Sequence, residues 1–82
     1  MTAFSSFDDR AQGWDADPAK HERAQAIAAA LRRRVPLSSA WHALEYGCGT
    51  GLLSFALHAD LGRITLADNS PGMLAVLERK IA

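Results

Sequence analysis

A glycine-rich stretch between two apolar runs is the feature that most constrains the fold of this 82-residue sequence. The stretch reads EYGCGTG at residues 45–51 and places glycine at three alternate positions. The run before it, WHALEY at residues 41–46, is short and mostly apolar, which is typical of a strand buried in a parallel sheet. The run after it, residues 52–59, predicts an amphipathic helix. A strand that turns into a helix across glycines is typical of α/β proteins, where ligands bind at the carboxyl ends of strands.

The sequence before this stretch predicts one helix and an irregular N-terminus. Asp17 followed by Pro18 is a helix start signal, and Pro36 ends the segment after the arginines at residues 32–34. Residues 1–17 mix polar residues with isolated aromatics and show no sustained period. We therefore predict that residues 1–17 form an irregular, mobile segment.

The sequence after the glycines repeats the strand–helix pattern. Residues 63–67, RITLA, predict a second strand that ends at Asp68, and Ser70 followed by Pro71 predicts the start of a third helix. The predicted fold class is α/β, with the order α-β-α-β-α and two parallel strands joined by a right-handed crossover.

Composition and charge exclude several classes of protein. Nine basic and nine acidic residues cancel, so no net field attracts nucleic acid or an anionic membrane. No apolar run approaches the ~20 residues of a membrane span, and the N-terminus lacks the features of a secretory signal. A single cysteine, Cys48, excludes an internal disulfide, and the three histidines show no metal-ligand spacing. We expect a cytoplasmic protein without a metal site.

The glycine spacing separates two classes of ligand. A dinucleotide-binding loop follows the pattern G-x-G-x-x-G, in which the third glycine would stand at the position of Leu52. The segment ALEYGCGTGLL instead resembles the first motif of class I S-adenosylmethionine-dependent methyltransferases, which has apolar residues, an acid and G-x-G-x-G. The segment LADNSPGML is similar to the second motif of that family. Asp68 also follows Gly51 at about the distance at which a carboxylate reaches ribose hydroxyls in nucleotide-binding α/β units.

The resemblance implies S-adenosyl-L-methionine as the cofactor. It implies that Asp68 holds the ribose hydroxyls and that Glu45 acts near the amino group of the cofactor, directly or through water. Asn69 and Met73 would lie against the adenine, and the three glycines would let the backbone pass beside the ligand. The implied cofactor-binding residues are Glu45, Gly47, Cys48, Gly49, Gly51, Asp68, Asn69 and Met73.

Each of these residues also has a purely structural interpretation. The glycines can serve tight packing at a strand–helix turn, and Met73 stands at a helical spacing that also fits the core. Cys48 fits a small buried side chain, because no basic residue accompanies it in the sequence. Glu45 can be a carboxylate at the surface end of a strand. Trp14 either folds over the cofactor, as N-terminal segments of such methyltransferases do, or packs against the protein.

The resemblance covers about residues 43–77, so residues 18–82 are expected to be the N-terminal part of an S-adenosylmethionine-binding α/β domain. The later strands of the family fold, with the catalytic residues that face the methyl acceptor, are missing from this sequence. We therefore expect negligible turnover by this chain alone. The unpaired edges of two parallel strands are expected to make the chain self-associate.

The resemblance thus implies the cofactor-binding, N-terminal fragment of a cytoplasmic S-adenosylmethionine-dependent methyltransferase, whose intact form transfers a methyl group to an unidentified acceptor. The neutral charge favours a small-molecule acceptor over nucleic acid. Two alternatives stay open. The chain can be a non-catalytic fragment or partner-binding module that retains the fold, or a fragment of a nicotinamide-dependent oxidoreductase, against which Leu52 argues.

Overall fold

The computed structural model describes the backbone of residues 3–81 and the side chains of residues 9–81. These residues form four α-helices and two β-strands, which lie in the chain order α1, α2, β1, α3, β2, α4. The elements are α1 Ala3–Trp14, α2 Pro18–Arg34, β1 His42–Tyr46, α3 Leu52–Leu57, β2 Arg63–Ala67 and α4 Pro71–Ile81. One turn of 3₁₀ helix, His58–Asp60, follows α3. The predicted α/β class and the two parallel strands are confirmed.

The prediction of an irregular N-terminus is wrong over Ala3–Trp14, which forms α1. This helix packs against α4, and Ala11 is almost completely buried. The side chain of Arg79 donates a hydrogen bond to Oε1 of Gln12 across the contact, at 3.3 Å. An isolated helix of this length is marginal in water, so the packing against α4 is what stabilises it. The first two residues of the predicted segment lie outside the described part of the chain.

The start of α2 follows from the two residues that predicted it. Asp17 has an extended backbone, and its Oδ1 accepts a hydrogen bond from the backbone N–H of Ala19 at 3.0 Å. Pro18 occupies the first helical turn, where its missing N–H costs nothing. Within α2, Ala24 and Ala28 are buried, and the helix packs against α3. The predicted helix start is therefore confirmed.

The two strands pair in parallel register, from His42 opposite Arg63 to Tyr46 opposite Ala67. A cavity of about 230 Å³ lies between α2, α3 and one face of this sheet. The cavity is lined by Leu31, Leu37, Trp41, Ala43, Leu44, Glu45, Leu53, Ser54, Leu57, Leu61 and Ile64. None of the helices within residues 3–81 has the length and apolarity to cross a membrane.

The opposite face of the sheet is exposed, so the prediction that β1 is a fully buried strand is wrong. Leu44 is 65% exposed and Tyr46 is 87% exposed, while Glu45 between them is half-buried on the covered face. The cause is the single layer of helices, because a parallel strand is buried on both faces only when helices cover both. The exposed face of β1 therefore carries apolar side chains, whereas its covered face carries a carboxylate.

Candidate functional site

The glycine loop, residues 47–51, connects β1 to α3. All three of its glycines have left-handed backbone dihedrals, with φ of 69°, 58° and 84°. At Gly51 packing also requires a glycine, because a Cβ there would lie 2.8 Å from Leu77 Cδ1 and 3.0 Å from Leu66 Cδ2. At Gly47, by contrast, an added Cβ would meet no described atom within 4 Å. Gly51 therefore serves packing, whereas Gly47 borders free space that a ligand can reach.

Three of the five backbone amides of the loop donate hydrogen bonds within the protein. The N–H of Cys48 donates to the carbonyl of Ala67 at 3.0 Å, and the N–H of Gly51 donates to the carbonyl of Cys48 at 3.0 Å. The N–H of Gly49 donates to Oδ2 of Asp68 at 2.7 Å. Three of the five loop amides are therefore occupied by protein acceptors, which leaves fewer N–H donors for a phosphate than a helix N-terminal loop ordinarily offers.

Asp68 lies at the carboxyl end of β2, next to the loop, as the sequence predicted. Its second oxygen, Oδ1, accepts a hydrogen bond from the backbone N–H of Ser70 at 2.8 Å. A carboxylate offers about four acceptor positions, so Asp68 retains capacity for further donors such as hydroxyl groups. Asn69, the adjacent residue, is exposed. The structure thus brings Asp68 and Gly49 together.

Two other predicted site residues are held inside the protein. Oε1 of Glu45 accepts a hydrogen bond from the hydroxyl of Ser54 on α3, at 2.5 Å. Met73 is 2% exposed, and its Sδ would lie 3.9 Å from a Cβ on Gly49. Met73 is therefore a core residue beneath the loop. The contacts of Glu45 and Met73 with a cofactor stay predictions.

Cys48 is buried in the loop, and its thiol donates a hydrogen bond to the carbonyl of Gly49 at 3.4 Å. Burial, together with the negative charges of Glu45 and Asp68, raises the pKa of the Cys48 thiol to about 11. Because the thiolate is the nucleophilic form, this thiol is inert at neutral pH. The arrangement agrees with the interpretation of Cys48 as a small buried side chain.

Thr50 within the loop bonds to two residues outside it, Asp15 and Lys80, and no sequence pattern pointed to this group of three. The hydroxyl of Thr50, which is 1% exposed, donates to Oδ1 of Asp15 at 2.5 Å. Nζ of Lys80 donates to the carbonyl of Thr50 at 2.8 Å and pairs with Oδ2 of Asp15 at 2.8 Å. Partial burial raises the pKa of Asp15, but the hydrogen bonds from Lys80 and Thr50 outweigh it and hold that pKa below its usual value. The three positions lie far apart in the sequence, and no local pattern connects them.

Trp14 lies at the end of α1, next to Asp15, and is half-buried. Nζ of Lys20 stands over its ring, 4.2 Å from the centroid, which is a cation–π geometry. Trp14 is thus packed under a residue of α2. Its role as a cover for the cofactor stays a prediction.

A larger cavity of about 410 Å³ lies between α3, β2 and the end of α4. It is lined by Ser54, Phe55, His58, Leu61, Gly62, Arg63, Ile64, Leu66, Lys80 and Ile81. Its described lining includes neither the loop glycines nor Asp68. The candidate site is therefore the exposed side of the loop at Gly47, next to Asp68, and not this cavity.

Comparison of the chain with known protein families, curated proteins and solved structures found no match. Within residues 3–81, no group of three or more His, Cys, Asp or Glu residues is placed to hold a metal ion.

Proposed function

We propose that this chain is the cofactor-binding, N-terminal part of a class I S-adenosylmethionine-dependent methyltransferase. In this proposal, the two-stranded unit is the start of a Rossmann-like sheet. When bound, S-adenosylmethionine would supply a methyl group to a nucleophile of the acceptor, with the bond from the methyl carbon to sulfur breaking and S-adenosylhomocysteine as the leaving group. The residues of the protein bind and orient the reactants and exclude water. The neutral net charge favours a small-molecule acceptor.

The observation that carries the proposal is that three amides of the glycine loop already donate hydrogen bonds to oxygens of the protein. A dinucleotide presents a pyrophosphate, which needs free N–H donors at such a loop. Here the amides of Cys48, Gly49 and Gly51 are donated to protein oxygens, and the acceptor for Gly49 is itself a carboxylate. A pyrophosphate would have to displace Asp68 and stay close to its charge. S-adenosylmethionine has no phosphate, so it does not meet this obstacle.

Charge gives further support. Both carboxylates lie near the loop, because Glu45 stands two residues before Gly47 and Asp68 accepts a hydrogen bond from the N–H of Gly49. S-adenosylmethionine carries a positive sulfonium and an ammonium group, which carboxylates attract and which a pyrophosphate lacks. Asp68 is the candidate for the ribose hydroxyls, and the free space at Gly47 gives the ligand access to the backbone.

Titration calorimetry with S-adenosylhomocysteine, and separately with NAD, tests the proposal. We expect S-adenosylhomocysteine to bind at least about tenfold more tightly than NAD. The substitution Gly47→Leu fills the free space beside the loop, so it should abolish binding while far-UV circular dichroism is retained. Gly13→Leu controls for an added side chain in open space, because Gly13 also has no described atom within 4 Å of an added Cβ; it lies in α1 and has no left-handed φ.

The remaining outcomes of the titration select the alternatives. Preference for NAD would show a nicotinamide-dependent protein. A folded chain that binds neither ligand would favour a non-catalytic, partner-binding module. The exposed apolar side chains of Leu44 and Tyr46 on the sheet are the observation that favours this second function.

A further inference from the structure

Asp15, Thr50 and Lys80, here called the Thr50 clamp, join three elements at the glycine loop. Asp15 lies in the turn between α1 and α2, Thr50 is in the loop, and Lys80 is in α4. Oδ1 of Asp15 accepts from the hydroxyl of Thr50, and Lys80 contacts both the second oxygen of Asp15 and the carbonyl of Thr50. The side chains of Asp15 and Lys80 are only 30% and 25% exposed. Each residue of the clamp therefore contacts both of the other residues, Thr50 through its hydroxyl and its backbone carbonyl.

The clamp acts on the conformation of the loop because Thr50 is itself a loop residue. Thr50 stands between Gly49 and Gly51, both of which have left-handed φ. Glycines adopt many backbone conformations with similar energies, so a loop that contains three of them needs outside contacts to keep one conformation. The clamp fixes Thr50 at its hydroxyl and at its carbonyl. The hydroxyl is buried and its bond is to a charged acceptor, which makes the loss of that bond costly.

We propose that Asp15 and Lys80 are positioning residues that act through Thr50 to hold the glycine loop in the conformation that the cofactor meets. The inference rests on the proposed function for the identity of the ligand, but the clamp itself is defined by geometry alone. Because binding linkage is reciprocal, a ligand that requires this loop conformation also stabilises the turn that carries Asp15.

Amide hydrogen exchange measured by NMR tests the clamp without any ligand. Thr50→Val removes the hydroxyl at constant shape, and Thr50→Ser restores it. We expect the amides of Gly49 and Gly51 to exchange about tenfold faster in Thr50→Val. The amides that pair β1 with β2 should stay unchanged. Thr50→Ser should return the loop amides to the wild-type rate.

The contacts that Lys80 makes in the clamp have a matched control elsewhere in the protein. Arg32 pairs with Asp60 at 2.9 Å and also donates to the carbonyl of Ala56 at 2.6 Å, so it has the same two kinds of partner as Lys80. Lys80→Met should speed exchange at Gly49 and Gly51 as Thr50→Val does. Arg32→Met removes an equal charge and similar bonds away from the loop, and should leave those amides unchanged.

The affinity for S-adenosylhomocysteine is the second readout. It should fall about tenfold in Thr50→Val and in Lys80→Met, and stay at the wild-type value in Thr50→Ser and Arg32→Met. Unchanged loop exchange in Thr50→Val, or faster exchange in strands and loop alike, would overturn the clamp as a positioning device. If the wild-type chain does not bind S-adenosylhomocysteine, the proposed function fails, and the exchange data still decide whether the clamp holds the loop.

Discussion

Gly51 carries two constraints, whereas Gly47 carries one. Both have a left-handed φ, which costs a residue with a Cβ about 1–2 kcal/mol. Only at Gly51 would the Cβ also collide with Leu77 and Leu66. The difference separates a glycine required by the core from a glycine that leaves room for a ligand.

We expect Gly51→Ala to destabilise the fold more than Gly47→Ala. Overpacking a core adds roughly 1–3 kcal/mol to the cost of the left-handed dihedral, so Gly51→Ala should lose about 2–5 kcal/mol and Gly47→Ala about 1–2 kcal/mol. Urea denaturation followed by circular dichroism measures both values. Equal losses would mean that the side chain of Leu77 moves aside without cost.

Cys48 provides a test that depends on pH. Because its pKa is raised to about 11 from 9.0, the thiolate of the folded chain at pH 8 is about a hundredfold scarcer than in the unfolded chain. Alkylation by iodoacetamide should therefore be slow at pH 8 and should rise with a midpoint near pH 11. The chain in urea is the control. A folded chain that reacts at pH 8 as fast as the unfolded chain would contradict the burial of the thiol.

The same shift fixes the sign of a stability change. The folded state binds the Cys48 proton more tightly than the unfolded state does. Its contribution to stability is therefore complete below about pH 9 and is lost as the pH rises through about 11.

At the scale of elements, local sequence signals predicted most of the helices and strands. The Asp17–Pro18 start, the strand RITLA and the Ser70–Pro71 start each appear where the sequence placed them. Such signals act within one turn of helix or one strand, so they can be read without the rest of the protein. The position of Asp68 at the carboxyl end of β2 was predicted for the same reason, because Asp68 is the residue directly after the strand.

The errors concern contacts between distant parts of the chain. Helix α1 is stabilised by α4, which follows it by more than fifty residues. One local signal was available, because Phe4, Phe7, Ala11 and Trp14 follow a spacing of 3, 4 and 3 residues that is typical of a helix. The side chains of the two phenylalanines lie outside the described part. The Thr50 clamp has no comparable signal, because it exists only once three elements have packed.

The exposure of β1 was not predicted, because the sequence of an apolar strand does not determine whether helices cover one face of the sheet or both. HALEY places Leu44 and Tyr46 on the exposed face, whereas the carboxylate of Glu45 lies toward the helices and is satisfied by Ser54. This is the reverse of a sheet with one solvated face, in which the polar residues point outward. The sequence of β1 is therefore suited to a sheet covered on both sides.

For the whole molecule, we propose that a second copy of the chain covers the exposed face of the sheet. The exposed side chains of Leu44 and Tyr46 are apolar, and the net charge of the chain is zero, so copies do not repel each other. Among the described residues, the outer edges of both strands are also unpaired. Sedimentation velocity should show species larger than the monomer that grow with concentration.

The substitution Leu44→Lys should return the chain to the monomer, because it places a charge on the exposed face. Ile27→Lys is the control, since Ile27 is 42% exposed on α2 and adds the same charge away from the sheet. A wild-type chain that sediments as a compact monomer at high concentration would refute the proposal. Equal effects of both substitutions would place the contact elsewhere.

The packing of α1 on α4 also has a consequence for the timing of folding during synthesis. Gln12 and Arg79, which bond across that contact, are 67 residues apart in the chain. A ribosome that adds about 5–20 residues per second needs roughly 3–13 seconds to make the intervening segment. Through that interval the nascent α1 has no partner for its apolar side. Among the described elements, α1 is thus made first while its packing partner α4 is made last, so α1 is open to chaperones during that interval.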